Sequence, residues 1–267
     1  MSRLRFWPIW ASFSGAILLL FLIVPLVALA LGTGWSDFLA GLDHPLVWPA
    51  LRLSLFTTSI SLSVVVLLGT PLAWRLGRQR GRATRAIETL VQLPVVIPPA
   101  VAGVAMLLAF GRRSTLGAWF YPEGFSLSLT TAAVVLAEIF VSAPFYIQAA
   151  ASAFRRVDED LLVVARTLGA GPFRVFARVA LPLAAPGLVA GAAMSWARSL
   201  GEFGATLMFA GNLTGRTQTL PLAIYTALES DLRAAQALSL LLVIGAFALL
   251  LIVRAGAPSA TDPVGTR

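Results

Sequence analysis

Residues 155–182 read RRVDEDLLVVARTLGAGPFRVFARVALP, a polar stretch set between two apolar segments of membrane-spanning length. Asp158 has the side chain of a helix N-cap, and Gly169 is typical of a residue that ends a helix. Three apolar residues recur at helical spacing between them: Leu161, Ala165 and Leu168. The stretch therefore predicts an amphipathic helix over its first half.

Pro172 suits the first turn of a second short helix, because its missing N–H needs no partner there. The apolar face of that helix would consist of Phe173, Phe176 and Val179. We therefore predict a compact helix-turn-helix that is tied to two spans and suited to docking another protein.

The composition places the chain in a membrane. It is 58% hydrophobic and 12% charged, with a mean hydropathy of +0.86, which argues against a water-soluble chain of 267 residues. Six apolar segments can each cross about 30 Å of hydrocarbon. Their limits are 13–32, 52–74, 90–110, 128–150, 183–205 and 233–253. We predict an all-α integral membrane protein with six transmembrane helices, a transmembrane domain over 1–255 and a short disordered tail over 256–267.

The arginines are distributed unevenly between the two sides of this six-span arrangement. One side carries Arg3, Arg5, Arg75, Arg78, Arg80, Arg82, Arg85, the arginines from 155 to 178, Arg254 and Arg267. Only Arg112, Arg113 and Arg216 lie clearly in loops on the other side. This positive-inside pattern places both termini in the cytoplasm. The net charge of +8 is thus explained by topology, with some attraction to anionic lipid headgroups, and not by nucleic acid binding.

Several residue types are absent from the sequence, and their absence excludes whole classes of site. There is no cysteine and no lysine, so thiolate metal sites and a phosphate-binding P-loop cannot be built. The single histidine, His44, is expected in a solvated outer loop. Asp158, Glu159 and Asp160 are better explained as a helix start than as a metal cluster. We expect no catalytic residues, no metal site and no enzymatic activity in this chain, so any ATP would be bound by another chain.

Two ionisable residues fall within the fifth predicted span. Arg198 and Glu202 are spaced i and i+4, so they can neutralise each other on one helical face. Charges in a membrane usually face a protein interior or a wet cavity. A structural ion pair and a pore lining remain equally open. Gly201 and Gly204 would allow close packing or a local opening, and Thr206 would add a hydroxyl near the mouth.

The third and fourth predicted spans carry further polar features. Pro98 and Pro99 would kink the third span and free backbone carbonyls, either to line a passage or simply for packing. Glu138 is a carboxylate within the fourth span. Pairing with an arginine or with a neighbouring backbone group is its expected role.

The stretch 163–182 resembles the cytoplasmic loop of bacterial ABC importer permeases. That loop runs Glu-Ala-Ala, three residues, Gly, nine residues, Ile-x-Leu-Pro, and every spacing is kept here. The matching residues are Val163, Val164 and Ala165, then Gly169, Val179, Leu181 and Pro182. The departure is Val163 in place of the usual acid, which would remove any polar contact of that acid with the ATPase.

Within that superfamily the sequence is similar to the molybdate-transport permeases. The similarity rests on ARSLGEFGAT at 197–206, Gly211-Asn212 and TQTLP at 217–221. Sulfate and thiosulfate permeases share the outline but tend to carry tyrosine and serine at Phe203 and Ala205. Molybdate is the expected substrate, and sulfate, thiosulfate and tungstate remain alternatives.

The resemblance implies an assembly in the bacterial cytoplasmic membrane. Two copies of this chain would sit on two ABC ATPase subunits, which bind ATP and Mg, and would receive the oxyanion from an extracytoplasmic binding protein. This chain would bind no cofactor. The coupling helix would lie within the loop 155–182, with contacts at Val163, Val164, Ala165, Leu168, Gly169, Ala170 and Pro182. The path or gate would involve Pro98, Pro99, Arg198, Gly201, Glu202, Gly204 and Thr206.

A secondary anion transporter is the alternative from another class. Such a protein also carries intramembrane charges and broken helices, but it typically shows internal repeats. The two halves of this sequence show no convincing duplication.

Overall fold

The computed structural model describes residues 7–111, 114 and 127–256, and the regular elements of these residues are all helices. Their bounds are α1 Trp7–Gly32, α2 Trp35–Leu42, α3 Val47–Arg78, α4 Arg82–Val96, α5 Pro99–Phe110, α6 Thr131–Arg155, α7 Glu159–Thr167, α8 Pro172–Leu200, α9 Gly204–Ala210, α10 Leu220–Ser230 and α11 Leu232–Gly256. The tail predicted as disordered lies outside the described residues, except for Gly256 at the end of α11.

Five helices of the described part are long and apolar enough to cross a membrane. They are Ser12–Gly32 of α1, α3, α6, α8 and Leu232–Leu251 of α11. Each overlaps one predicted span. The third predicted span, 90–110, is wrong as a single helix, because α4 and α5 meet at an angle of 111° and reach six spans only if counted together.

The break between α4 and α5 follows from consecutive prolines. Ile97 has ψ 129° and Pro98 has ψ 136°, so both leave the helical region. A residue that precedes a proline is driven out of that region by the proline ring, and here two residues in a row precede one. The expected kink is therefore correctly located, but the turn is far sharper than a kink.

Helix α6 forms the centre of the bundle and packs against α3 and α8. The largest buried cluster joins these three helices to α7, with Leu76, Tyr146, Phe154, Leu162 and Val175 among its members. Small residues allow the close approach of α6 and α8, since a Cβ on Gly191 would lie 2.7 Å from the Cβ of Ala149. Such small-residue contacts stabilise helix pairs in membranes, where lipid is as apolar as the side chains.

Two smaller clusters attach the other helices. One joins α5, α6 and α9 through Met106, Val134 and Phe209. The other joins α3, α10 and α11 through Val47, Leu220 and Leu238. By contrast, none of the side chains between Ser12 and Gly32 of α1 is buried in this chain.

A buried polar contact joins α3 to α6. The Glu138 carboxylate accepts hydrogen bonds from Thr57 Oγ1 and Ser61 Oγ, each at 2.7 Å. The expected pairing of Glu138 with an arginine or a backbone group is wrong, because its hydrogen-bond donors are two hydroxyls one turn apart on α3. This contact satisfies the carboxylate without a second charge.

The helix-turn-helix has a short first helix and a long second one. The expected short helix after Pro172 is wrong, since α8 continues from Pro172 to Leu200. Its backbone widens into a π-helical turn at Phe176–Ala180, directly before Pro182. A proline cannot donate to the carbonyl four residues earlier, and the wider turn accommodates this missing bond without breaking the helix.

Candidate functional site

The first candidate region is the loop that contains α7. Asp158 caps this helix as predicted, with its carboxylate accepting from the Asp160 N–H at 3.0 Å. The predicted apolar face of Leu161, Ala165 and Leu168 is only partly packed on the bundle. Leu161 is 48% exposed and Leu168 is 83% exposed, whereas Ala165 is half-buried against the central cluster. The fully buried residue of this helix is Leu162, which the periodicity did not identify.

Five exposed apolar side chains form what we call the apolar patch of this loop: Leu161, Val163, Val164, Leu168 and Phe173. Phe173, from the predicted apolar face of the second helix, is 79% exposed, and Val175 is buried. Large apolar side chains on a polar loop are typical of a protein-binding surface. The loop thus exposes apolar side chains on its outer face and packs Leu162 and Val175 on its inner face.

Gly169 forms the turn between the two helices. Its φ of +83° lies in the left-handed region, which favours glycine, and its N–H donates to the carbonyl of Arg166 at 2.9 Å. Nothing lies within 4 Å of where its Cβ would be, so only the backbone demands glycine here.

The remaining residues of the predicted coupling set are either less exposed or lie outside α7 and its turn. Ala165 and Ala170 are half-buried against the central cluster. Pro182 is exposed but lies in α8, beyond the π-helical turn. Val163, Val164, Leu168 and Gly169 are thus the exposed members within α7 and its turn.

Arg78 fastens the loop to the bundle. Its guanidinium donates to the carbonyl of Val157 at 3.0 Å and lies 3.2 Å from the Glu159 carboxylate. It also lies over the Trp74 ring, 5.6 Å from its centroid. Sequence reasoning counted Arg78 only as a topological charge, since nothing in the sequence relates residue 78 to residues 157 and 159. Arg78 thus links the start of α7 to the end of α3.

The second candidate region surrounds the end of α8. Arg198 and Glu202 form the expected ion pair at 2.7 Å. The two residues do not share a helix, however, because α8 ends at Leu200 and Glu202 lies in the linker before α9. The other oxygen of Glu202 accepts from the N–H of Ala205 at 2.8 Å. Glu202 thus connects the end of α8 to the first turn of α9.

Close contact between α5 and α9 brings the break in the third span beside the end of α8. A Cβ on Gly204 would lie 2.9 Å from the Cβ of Pro99, and one on Gly103 would lie 2.7 Å from the carbonyl oxygen of Ala205. Sequence reasoning paired Gly204 with Gly201 on one helix and gave Gly103 no role. The breaks after Val96 and after Leu200 therefore meet at one level of the bundle.

The other predicted path residues have different environments. Pro98 and Gly201 are exposed at the two breaks. Thr206 is fully buried in α9, and its hydroxyl has no hydrogen-bond partner among the described residues. The structure thus gathers Pro99, Arg198, Glu202 and Gly204 around the two breaks, with Thr206 inside the packing of α9.

Long apolar helices, a span broken between α4 and α5, and the contact of α5 with α9 after the end of α8 define a multi-span membrane protein. A family model for the inner membrane component of binding-protein-dependent transport systems matches residues 66–257. The chain therefore belongs to this family of transport-system membrane components.

Relatives of known function agree with this family. The chain is 46% identical over 255 residues to the molybdenum transport system permease protein ModB of Mycobacterium tuberculosis, covering 96% of this chain and 97% of that protein. It is 37% identical to the probable transport system permease protein NifC of Clostridium pasteurianum, over 90% of this chain and 84% of that one. ModB of Escherichia coli is 38% identical over 68% of this chain and 80% of its own length.

Solved structures show the same fold. A bacterial alginate ABC transporter aligns with a TM-score of 0.74 at 16% identity, covering 97% of each chain. The MetNI methionine ABC transporter in an inward-facing conformation aligns with a TM-score of 0.62 at 22% identity, over 80% of this chain and 98% of that one.

Proposed function

We propose that this chain is the permease subunit of an ATP-driven importer that carries molybdate, a tetrahedral oxyanion, into the cytoplasm. The similarity to molybdenum permeases along nearly the whole chain carries the proposal. It favours molybdate over sulfate and thiosulfate, since the molybdenum permeases match well beyond the residues of a single motif.

The work of transport would come from a partner ATPase, which would bind ATP and Mg. The sequence has no lysine for a P-loop of its own, and the apolar patch is an exposed surface suited to an ATPase groove. ATP-driven closure of the ATPase must favour one state of the permease, because a partner with equal affinity for both states shifts nothing. In this proposal the loop and both termini lie in the cytoplasm, which the arginine distribution supports.

The anion would pass near the contact between α5 and α9, beside the end of α8. Arg198 is 28% exposed and can attract an oxyanion, while Glu202, only 1% exposed, holds the arginine in place. We assign Glu202 a positioning role, because a carboxylate would repel the substrate. A partly neutralised arginine binds the anion weakly enough to release it. An extracytoplasmic binding protein would deliver the anion, and a second copy of the chain would complete the path.

The test is uptake of radiolabelled molybdate into vesicles that contain the chain, its ATPase and the binding protein. We expect uptake that needs internal ATP and is competed by tungstate far better than by sulfate. Concentrative uptake by the chain alone, driven by an ion gradient, would instead identify a secondary transporter. Sulfate competing as well as tungstate would assign the chain to the sulfate branch.

A further inference from the structure

A basic cleft of about 1010 Å³ opens beside the start of α7. Its walls come from the end of α3, the start of α4 and the junction of α6 with α7. Five arginines line it: Arg78, Arg80, Arg85, Arg155 and Arg156. Only three carboxylates line the same walls, so the cleft carries an excess of positive charge.

The structure divides these arginines into two groups. Arg78 and Arg155 each form an ion pair with a carboxylate of this chain. Arg80, Arg85 and Arg156 are exposed and make no ion pair in the described part of the chain. Their three guanidinium groups are therefore available to an external anion, and a guanidinium pairs well with carboxylate or phosphate oxygens.

A second pocket, of about 380 Å³, connects the cleft to the apolar patch. It shares Arg156, Val157 and Asp158 with the cleft. Its walls also include Leu161, which belongs to the apolar patch. The cleft, this pocket and the patch therefore form one continuous surface around the start of α7, and a partner that covers Leu161 would lie beside Arg156.

The five side chains of the apolar patch carry no charge of their own. Even position 163, where the related loops have an acid, is a valine. Protein interfaces combine an apolar centre with a polar rim, and the charges of the rim decide which partner associates and how fast. The unpaired arginines of the cleft lie where such a rim is needed.

The walls of the cleft favour a polypeptide surface over a lipid or a single ion. The space that adjoins the cleft between α4 and α6 is lined mostly by polar residues, Glu88, Gln92, Gln148, Ser152 and Arg155 among them, so it offers little apolar surface to an acyl chain. The unpaired arginines come from three separate elements around a cleft far larger than one tetrahedral anion. Several carboxylates spread over a protein surface match this spacing best.

We propose that the partner of this surface is an ATPase face that presents aspartate or glutamate side chains beside an apolar groove. The groove receives the apolar patch, and the carboxylates lie against Arg80, Arg85 and Arg156. This inference rests on the proposed function, because it assigns the chemistry of the ATPase surface. The arginines are open to solvent, so they should raise the rate of association more than they slow dissociation.

The test measures how fast the purified chain and its ATPase associate and dissociate, in about 0.1 M and about 1 M KCl. The cleft variant carries Arg85→Gln and Arg156→Gln. We expect its association in about 0.1 M KCl to be about tenfold slower than that of the unaltered chain, with dissociation nearly unchanged. In about 1 M KCl the two rates should agree within about twofold, because the Debye length falls from about 10 Å to about 3 Å.

The matched control carries Arg75→Gln and Arg82→Gln, which remove the same charge from exposed positions of α3 and α4 outside the cleft. The control should associate within about twofold of the unaltered chain in both salt concentrations. Equal slowing in the two double variants would overturn the inference, because it would show only general charge attraction. Slowing of the cleft variant that persists in about 1 M KCl would also overturn it, since a charge effect must be screened.

Two further outcomes separate this inference from its alternatives. Loss of co-purified phosphatidylglycerol from the cleft variant, with an unchanged association rate, would assign the cleft to the membrane and overturn the inference. Absence of ATPase binding by the unaltered chain would overturn the proposed function and this inference together. Normal binding by the unaltered chain, with equal rates for the two double variants, would overturn this inference alone.

Discussion

The carboxylate of Glu202 lies 2.7 Å from the guanidinium of Arg198, although one residue belongs to α8 and the other to the linker that follows it. The two differ sharply in exposure, with the Arg198 side chain 28% exposed and that of Glu202 1% exposed. The buried carboxylate is thus stabilised by a cation that still reaches the surface of the chain. The loss of Arg198 and the loss of Glu202 should therefore have unequal effects on stability.

Replacing Arg198 by Ala should destabilise the protein by about 2 kcal/mol, because it leaves the buried Glu202 carboxylate without its cation. Thermal unfolding in detergent and the yield of folded protein measure the effect. Thr206→Val is the control, since it replaces a buried hydroxyl that has no partner among the described residues with a methyl of similar size. Equal yields from the two variants would contradict the stabilising role of the ion pair.

The two faces of α7 should respond differently to an introduced charge. Leu168→Asp, at a side chain 83% exposed, should weaken ATPase binding by about 2 kcal/mol and leave thermal stability unchanged. Leu162→Asp, at a fully buried side chain, should instead lower the yield of folded protein, because it buries an unpaired charge. Pull-down of the ATPase together with thermal unfolding separates the two effects. Normal ATPase binding by Leu168→Asp would exclude the apolar patch as the docking surface.

Gly169 and Gly171 provide a matched pair for the turn. Neither has an atom within 4 Å of the position that an alanine Cβ would occupy, but only Gly169 has a positive φ, of +83°. Gly169→Ala should therefore destabilise the turn by about 1 kcal/mol, and Gly171→Ala should have no effect. Gly169→Arg should abolish ATPase association, because a bulky cation would then occupy the docking face. The measurement is ATPase pull-down combined with uptake, and retention of both by Gly169→Arg would refute the assignment.

The contact between α5 and α9 can be tested with a single methyl group. Gly204→Ala would place a Cβ 2.9 Å from that of Pro99, and relieving this overlap should cost about 1–3 kcal/mol. Gly201→Ala is the control, since its Cβ would meet only the carbonyl of Ala197 at 3.7 Å. We expect slower initial uptake of molybdate for Gly204→Ala alone. Matching rates for both variants would show that the two breaks move independently.

The contact of Glu138 with α3 is suited to a double-mutant cycle. Thr57→Val removes one hydroxyl that donates to the carboxylate, and Glu138→Leu removes the carboxylate. The Thr57 hydroxyl can fall back on the carbonyl of Leu53, which lies 3.0 Å away. Thr57→Val should therefore destabilise the unaltered chain by about 1 kcal/mol more than it destabilises the Glu138→Leu variant. Additive losses in thermal unfolding would show that the hydrogen bond contributes nothing.

The parts of the fold that the sequence predicted correctly are those set by local chemistry. Apolar length located the spans, carboxylate capping located the start of α7 at Asp158, and consecutive prolines located the break at Pro98. Each of these signals acts through residues that are neighbours in the chain. The spans, the helix start and the break could be predicted because none of them depends on a residue distant in the chain.

The parts that were missed depend on contacts between distant residues. Helical periodicity placed Leu161 and Leu168 on one apolar face, but it could not say whether that face meets the bundle or a partner. The contact of α5 with α9 joins residues about 100 positions apart, and the partners of Glu138 are hydroxyls on α3. The contact of Arg78 with the loop was missed for the same reason, because the carbonyls to which it donates belong to Phe154 and Val157, far along the chain.

Helix α8 runs without interruption from Pro172 to Leu200, so it could act as a lever. At about 1.5 Å per residue its 29 residues form a rod roughly 42 Å long, with its lower end beside Phe173 and its upper end beside Arg198. A tilt of about 5° at the lower end would sweep the upper end sideways by about 4 Å. A small rotation imposed from outside the membrane would thereby be amplified to about the width of an oxyanion at the opposite end of the rod.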